Sequence, residues 1–425
     1  LAVPKAFRIL PPSPEKDSET SRAVRENPFI GPDPTPAEVI LMELRFDMEY
    51  EEAYRELYEI VKPKYKLFTA GPVACFPEVL AIMSVQMFSH RSAEAKEVHV
   101  DTLNRLKAFL EADNGEIILF PSSGTGFMEA AVRNTVPRGG KVLVTTIGAF
   151  GDRFADVVNA NGREAVILRK EPGYAIKPEE LDDALRKNPD VHAVTITYNE
   201  TSTGVLNPLP ELAKVVHEHD KLLFVDAVSA MGGADIRFDK WGLDLIFASS
   251  QKAFGVPPGL AVAAVSERVF EIAEKMPERG WYFDLPLYKK FNEKKKGTPS
   301  TPPLPQMFGL NVILRVVEKM GGKEKWLGMY RERSEMIREG VKEMGLGVLA
   351  EPGYESPTIT AVVVPEGMKG VDVYNAMRER GFELAKGYGS VAEKTFRIGN
   401  MGYMTFEDIE EMLANLREVI EELKH

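Results

Sequence analysis

Two residues in the middle of the chain could share one piece of chemistry. Asp226 closes the apolar run Phe224-Val225-Asp226, and Lys252 follows Ala248-Ser249-Ser250-Gln251, so each stands at the C-terminal end of an expected strand, 26 positions apart. Open α/β sheets place their ligands at that edge. Burying an ammonium there is costly unless it is paired or neutralised. A lysine that forms a Schiff base, with a carboxylate that keeps a pyridine nitrogen protonated, is what pyridoxal phosphate chemistry requires. Each residue also has a plainer reading, the lysine as a solvated surface group and the aspartate as a loop cap. Upstream, Pro121-Ser122-Ser123-Gly124-Thr125-Gly126 runs directly into the helical pattern Phe127-Met128-Glu129-Ala130-Ala131. Glycines allow close backbone approach, hydroxyls donate, and the free N–H groups of a helix start favour an anion, so this turn suits a phosphate. It lacks the Gly-Lys-Ser/Thr ending of a Walker loop and the spacing of a dinucleotide fingerprint. A simple helix cap remains the alternative.

The elements that must position these residues are legible as alternating helical and short apolar segments. Helical periodicity predicts helices over 95–112, 127–134 and 209–219. Strands are expected at Lys141–Thr145, Ala165–Leu168, Val191–Thr197, Lys221–Val225, Asp244–Ala248 and Ala261–Val265. Strands apolar on both faces and separated by helices predict an α/β fold with a mostly parallel sheet covered on both sides. Lys289-Lys290, the Lys294–Lys296 run and Gly297-Thr298-Pro299-Ser300-Thr301-Pro302-Pro303 read as an exposed loop. Beyond it come helices at Gln306–Met320, 323–345 and 370–380, strands at Thr358–Val364 and Thr395–Ile398, and a final amphipathic helix. Thr405 and Asp408 form a capping box for that last helix, and Ile409, Leu413, Leu416, Ile420 and Leu423 its apolar stripe. The expected division is a Pro-rich, poorly ordered extension over 1–41, an N-terminal segment and large domain over 42–305, and a long connecting helix with a small C-terminal domain over 306–425. Eight of the 29 prolines fall in the first 41 residues, without helical or strand period. Met42 is a candidate natural start, with a genuine tail as the alternative.

Composition narrows the partners. The 53 Lys and Arg against 64 Asp and Glu leave a charge of −11, the wrong sign for gripping a nucleic-acid backbone. No apolar run approaches the roughly 20 residues of a membrane span. The single Cys75 cannot form an intramolecular disulfide, which fits a reducing compartment and predicts a cytoplasmic location. His217 and His219 lie two apart on a helix and face different ways, so no metal site is expected.

The ordered set Ser123-Gly124-Thr125, Phe150 in Gly148-Ala149-Phe150-Gly151, Asn199-Glu200-Thr201-Ser202-Thr203-Gly204, Asp226 and Ser250-Gln251-Lys252 resembles the class V aminotransferases. Within that class it is most similar to the alanine:glyoxylate / serine:pyruvate branch. The resemblance runs from Phe68-Thr69-Ala70-Gly71-Pro72 to the C-terminal helix. It implies the fold type I architecture of enzymes that use pyridoxal 5′-phosphate: a large domain with a mostly parallel seven-stranded sheet, a smaller α/β domain, and a homodimer with its sites at the interface. Carried over, Lys252 is the Schiff-base lysine and Asp226 the pyridinium partner. Ser123, Gly124, Thr125 and Gln251 hold the phosphate, Phe150 stacks on the ring where mammalian members have Trp, and Thr201 lies near the 3-hydroxyl. Thr298 and Thr301 reach the neighbouring subunit's phosphate site. On the substrate side stand Gly71 and Arg397 of Thr395-Phe396-Arg397-Ile398-Gly399, whose planar guanidinium suits a carboxylate.

The implied activity is transfer of an amino group from serine or alanine to glyoxylate or pyruvate. His90-Arg91 matches the pair that binds phosphate in phosphoserine aminotransferases, so a phosphorylated substrate stays open. A cysteine desulfurase or C–S lyase is more distant, because Cys75 is the only candidate persulfide acceptor and Phe150 replaces the usual stacking His.

Overall fold

A computed structural model describes residues 48–424. The chain divides into two compact units, residues 1–63 and 64–425. In the first, the described part is helix α1 (Met48–Val61). The expected extension over 1–41 lies outside the described residues.

The second unit is built on a seven-stranded sheet: β1 (Glu116–Phe120), β2 (Lys141–Thr146), β3 (Glu164–Arg169), β4 (Val191–Thr197), β5 (Leu222–Asp226), β6 (Leu245–Ser249) and β7 (Ala261–Val265), in spatial order β1-β7-β6-β5-β4-β2-β3. β7 alone runs antiparallel, between β1 and β6, so six strands point the same way. The period-2 alternation of strand side chains explains why the runs are apolar throughout. Leu223, Val225, Ile246, Ala248, Val262 and Ala264 enter one buried cluster with Phe109, Leu310 and Trp326. Their neighbours Leu222, Phe224, Leu245, Phe247, Ala261 and Ala263 enter a second with Phe127, Phe154 and Phe270. Both faces are therefore roofed, as a parallel sheet requires.

Helix α2 (Ala93–Leu110) is capped by Ser92, which accepts from the Ala95 N–H at 3.2 Å. Helix α3 (Thr125–Thr135) follows β1 and helix α4 (Ala149–Ala160) follows β2, each starting behind a glycine. The lysine-rich stretch expected as a loop is instead helix α5 (Leu285–Lys295), and only Lys296 to Pro303 is irregular. Asp284 caps α5 by accepting from the Leu287 N–H at 3.3 Å, and Lys294 and Lys295 sit in its last turn, where cations complement the helix dipole. Composition suggested exposure; the cap and the dipole decide the conformation. Lys289, moreover, pairs with Glu267 and lies over Phe270 at 4.7 Å.

Helices α6 (Leu304–Lys319) and α7 (Lys323–Glu343) lead to a four-stranded sheet of β8 (Gly347–Val348), β9 (Ile359–Val363), β10 (Ala385–Lys386) and β11 (Thr395–Gly399), in order β8-β9-β11-β10. Helix α8 (Gly370–Glu379) and helix α9 (Phe406–Glu422) cover it, around Val362, Phe396, Ile398, Met377 and Ile409. The capping box is present: Thr405 Oγ1 accepts from the Asp408 N–H at 3.1 Å, and Asp408 accepts from the Thr405 N–H at 2.9 Å. The expected stripe is present except at its end and is wider than expected, with Leu413 half-buried against the same cluster. Ile409, Leu416 and Ile420 are buried, but Met412 and Val419 complete the face, while Leu423 is 38% exposed beyond the last turn. Leu416→Ala should accordingly cost about 2–5 kcal/mol in chemical denaturation and Leu423→Ala under about 0.5. Equal losses would restore the original stripe.

Candidate active site

Five parallel strands, β1, β2, β4, β5 and β6, end along one edge of the large sheet, and the expected site residues follow those ends. Asp226 is the last residue of β5 and is buried; its Oδ1 accepts from the Val228 N–H at 2.9 Å. Burial raises its pKa to about 7, opposed by the Val228 hydrogen bond and reinforced by the nearby Glu200 carboxylate. Lys252, three residues beyond β6, is 8% exposed and donates from Nζ to the Ala70 carbonyl. Burial lowers its pKa to about 8, helped by the Arg397 charge and opposed by Asp226. An amine of this kind is partly neutral near physiological pH, which makes it a nucleophile toward carbonyls.

Gly71 explains how the lysine fits. Its φ is +106°, and a Cβ there would lie 2.7 Å from Lys252 Cδ and 2.8 Å from Nζ. The sequence pairs them across 181 positions of chain that only the fold brings together. Gly124 is likewise confined, because a Cβ would collide with the Val228 methyl Cγ2. The Ser123-Gly124-Thr125 turn leads into α3 with no side-chain cap; the Gly126 and Phe127 N–H groups donate to the Ser123 and Gly124 carbonyls at 3.0 and 2.9 Å, which leaves the Thr125 N–H for another acceptor. The Gln251 side-chain oxygen and the Ser249 hydroxyl are buried without a partner among the described residues. An uncapped helix start, confined glycines and orphaned polar atoms fit a bound phosphate-bearing group.

Phe150 opens α4, half-buried, with the Tyr388 ring 6.0 Å away at 27° and the Arg153 guanidinium 4.7 Å from its centroid. Thr201 donates to Ser229 Oγ at 2.8 Å. Arg397 lies on β11, 8% exposed, donating to the Lys386 carbonyl at 2.9 Å and the Thr201 carbonyl at 3.0 Å. Burial lowers its pKa to about 10, and no carboxylate pairs with it among the described residues. A desolvated guanidinium beside a reactive lysine is poised for an anionic ligand.

Other expected residues are not joined to this group by hydrogen bonds or ion pairs. His90 and Arg91 occupy the turn before α2, Arg91 exposed and its N–H donating to Ser89 Oγ at 3.3 Å. Thr298 turns inward to donate to the Ser300 carbonyl at 2.6 Å, and Thr301 is exposed. Among the described residues no cluster of His, Cys, Asp or Glu could hold a metal, and no helix is long and apolar enough to cross a membrane. Sequence reasoning assigned no role to Glu200, Arg153 or Tyr388. Glu200 stood inside a recognised motif, and its burial was the signal that residue type alone could not supply.

The sequence matches the family model for Aminotransferase class-V over residues 79–412. The chain belongs to the class-V aminotransferases. It is 36% identical over 362 residues to an uncharacterized aminotransferase of Methanocaldococcus jannaschii, a match that covers 85% of this chain and 94% of that protein. It is 35% identical over 347 residues to a serine–glyoxylate aminotransferase of Methylorubrum extorquens, covering 79% and 86%. The alanine–glyoxylate aminotransferase of Nostoc sp. superposes with a TM-score of 0.80 at 29% identity, covering 84% of this chain and 96% of that one. The enzyme is thus a fold type I aminotransferase whose cofactor is pyridoxal 5′-phosphate.

Two outcomes follow from the geometry of this aminotransferase. Gly71→Ala should abolish covalent retention of the cofactor, read as loss of its absorbance after gel filtration; full retention would mean that Lys252 does not need this space. The raised pKa of Asp226 has a definite sign. The folded chain holds that proton more tightly than the unfolded one, so the contribution to stability is full below about pH 4 and is lost as pH rises through about 7. Asp226→Asn should therefore flatten the melting-temperature profile of cofactor-free protein between about pH 4 and 7. An unchanged profile would contradict the desolvated carboxyl.

Proposed function

We propose that this aminotransferase moves an amino group from serine or alanine to glyoxylate or pyruvate, with the cofactor held covalently by Lys252. The observation that carries the proposal is Arg397, a buried guanidinium without a carboxylate partner among the described residues, whose charge is felt at Lys252. The names of the Methylorubrum and Nostoc relatives share glyoxylate and differ in the amino donor, which supports a small amino acid and a small oxo acid.

The residues divide the work by position. Ser123, Gly124, Thr125 and Gln251 would hold the phosphate, Phe150 would lie against the ring and Thr201 near its 3-oxygen. Asp226 would face the ring nitrogen and keep it protonated, a role helped by a dry environment in which an ion pair is strong. When bound, the cofactor supplies an electron sink for the substrate's α-carbon. Arg397 binds the substrate carboxylate through two parallel N–H donors and so fixes the α-carbon toward Lys252. The Lys252 amine, able to lose its proton near neutral pH, would then take the α-proton as general base and give it back as general acid at the carbon that receives the amino group. Gly71 leaves the lysine room to swing.

We also propose a homodimer, with Thr298 and Thr301 of each subunit contributing to the neighbour's phosphate site; the exposure of Thr301 supports it. Within each chain we take 42–305 as an N-terminal segment and the large cofactor-binding domain, and 306–425 as a long connecting helix and a small domain; the separate apolar cluster around Phe396 and Leu416 supports the small domain. A cytoplasmic setting is proposed from the single cysteine.

Phosphoserine as substrate is less supported, since Arg91 is exposed at the α2 cap. A desulfurase is disfavoured more directly: burial pushes the Cys75 thiol up to about 11, the wrong direction for a sulfur nucleophile.

The test is the absorbance of protein reconstituted with pyridoxal phosphate, in the band at roughly 400–430 nm expected of a lysine-bound cofactor. Addition of L-serine or L-alanine should bleach it, and glyoxylate or pyruvate should restore it. Bleaching by O-phospho-L-serine alone would move the substrate assignment to the phosphorylated branch, and absence of the band would overturn the role of Lys252. Arg397→Ala should keep the band while raising KM for the amino donor by about 10- to 100-fold, the loss of a charge-assisted pair. Unchanged KM would remove Arg397 from the substrate site.

A further inference from the structure

We propose that Glu200 is a positioning residue that locks the ring-stacking Phe150 and the carboxylate-binding Arg397 to one three-residue segment. This inference rests on the roles proposed above for those two residues.

The need arises at the start of α4. The first N–H groups of a helix have no partner within it, and Gly148, at the cap position, has no side chain to offer one. The acceptors come instead from the hairpin formed by Asn199–Glu200 and Val205–Leu206, 50 residues further along the chain. Glu200 Oε2 accepts from the Phe150 N–H at 3.0 Å and the Gly151 N–H at 3.2 Å. Its Oε1 accepts from the Ser202 N–H at 3.0 Å and from Ser202 Oγ at 2.6 Å. Ser202 Oγ in turn accepts from the Ala149 N–H at 3.1 Å. Three successive orphan donors of α4 are thereby satisfied by Glu200 and Ser202.

Thr201, between them, offers its carbonyl to Arg397 Nη1 at 3.0 Å. One short segment therefore holds the residue that lies against the ring and the residue that holds the substrate carboxylate. Gly148 makes the closeness possible: a Cβ there would lie 2.7 Å from Glu200 Cγ and would collide with Ser202 Oγ. A fully buried carboxyl is an expensive choice for a cap, since burial alone pushes its pKa up. The four bonds it accepts oppose that rise, and a negative group at a helix N-terminus is favoured by the dipole. Glutamine in its place would carry one acceptor oxygen. It could satisfy the α4 amides or Ser202, but not both sets.

The variants Glu200→Gln and Ser202→Ala separate the possibilities. In cofactor-free Glu200→Gln, deuterium exchange of the amides of residues 149–151 should speed up by about tenfold or more. Its affinity for pyridoxal phosphate, followed by tryptophan fluorescence, should fall about 10- to 100-fold, and KM for the amino donor should rise about tenfold, with kcat changed less than KM. Ser202→Ala, which keeps the carboxylate, should show the same changes at a smaller size. Glu200→Gln that melts earlier but keeps wild-type cofactor affinity and KM would reduce the residue to a stabilising one and overturn the proposal. Should Glu200→Gln fail to fold, unchanged exchange and KM in Ser202→Ala would overturn it equally. The exchange measurement does not involve turnover, so it is decided even if the assigned substrates prove wrong.

Discussion

The structure turns on keeping four ionisable side chains out of water at one sheet edge. Asp226, Glu200, Lys252 and Arg397 are all buried, and each shows the displacement that burial imposes: the acids shifted up, the bases down. Such a group survives only where charges compensate one another and every remaining lone pair or N–H has a partner. The two acids and two bases do compensate. Their backbone partners come from the ends of strands and the starts of helices, which are the parts of an α/β fold where peptide groups are free.

That requirement explains much of the architecture around it. A sheet apolar on both faces needs helices on both faces, and these shut solvent out of the strand ends as well. Close packing then leaves little slack, so glycine appears where two functional elements meet: Gly71 against Lys252, Gly124 against Val228 and Gly148 against the Glu200–Ser202 segment. At Gly71 the backbone also adopts a positive φ that other residues rarely take. The site is specified as much by the side chains that are missing as by those present.

Sequence patterning made the central part of this legible. Runs such as Val191–Thr197 and Ala261–Val265 coincide with their strands because a doubly buried strand has an unbroken apolar signal. The residues Asp226 and Lys252 were readable for a different reason, as charges at the ends of such runs. No strand is expected over Glu116–Phe120, although β1 is as apolar as the others, because its run Ile117–Phe120 passes without a break into the Pro121-Ser122-Ser123-Gly124 turn. The cationic stretch Lys289–Lys295 reads as loop because such charge looks solvated, whereas its cap at Asp284 lies upstream of the charge. In α9 the five expected positions share one face, but only packing shows that Met412 and Val419 widen it and that Leu423 lies beyond it.

Glu200 marks the limit of such reading. A glutamate has the same letter whether it is solvated or enclosed, and its four donors come from residues 150, 151 and 202, which no periodicity connects. What distinguishes it is the coincidence of three conditions: a helix start without a side-chain cap, a glycine that admits a foreign carboxylate, and a neighbouring carbonyl already committed to Arg397. Each alone is common. Together they join the two substrate-facing walls through a charge that water would otherwise weaken, and they do so where a shift of about 1 Å would misalign a reacting group. The cost of enclosing that carboxyl is therefore best understood as the cost of holding the geometry.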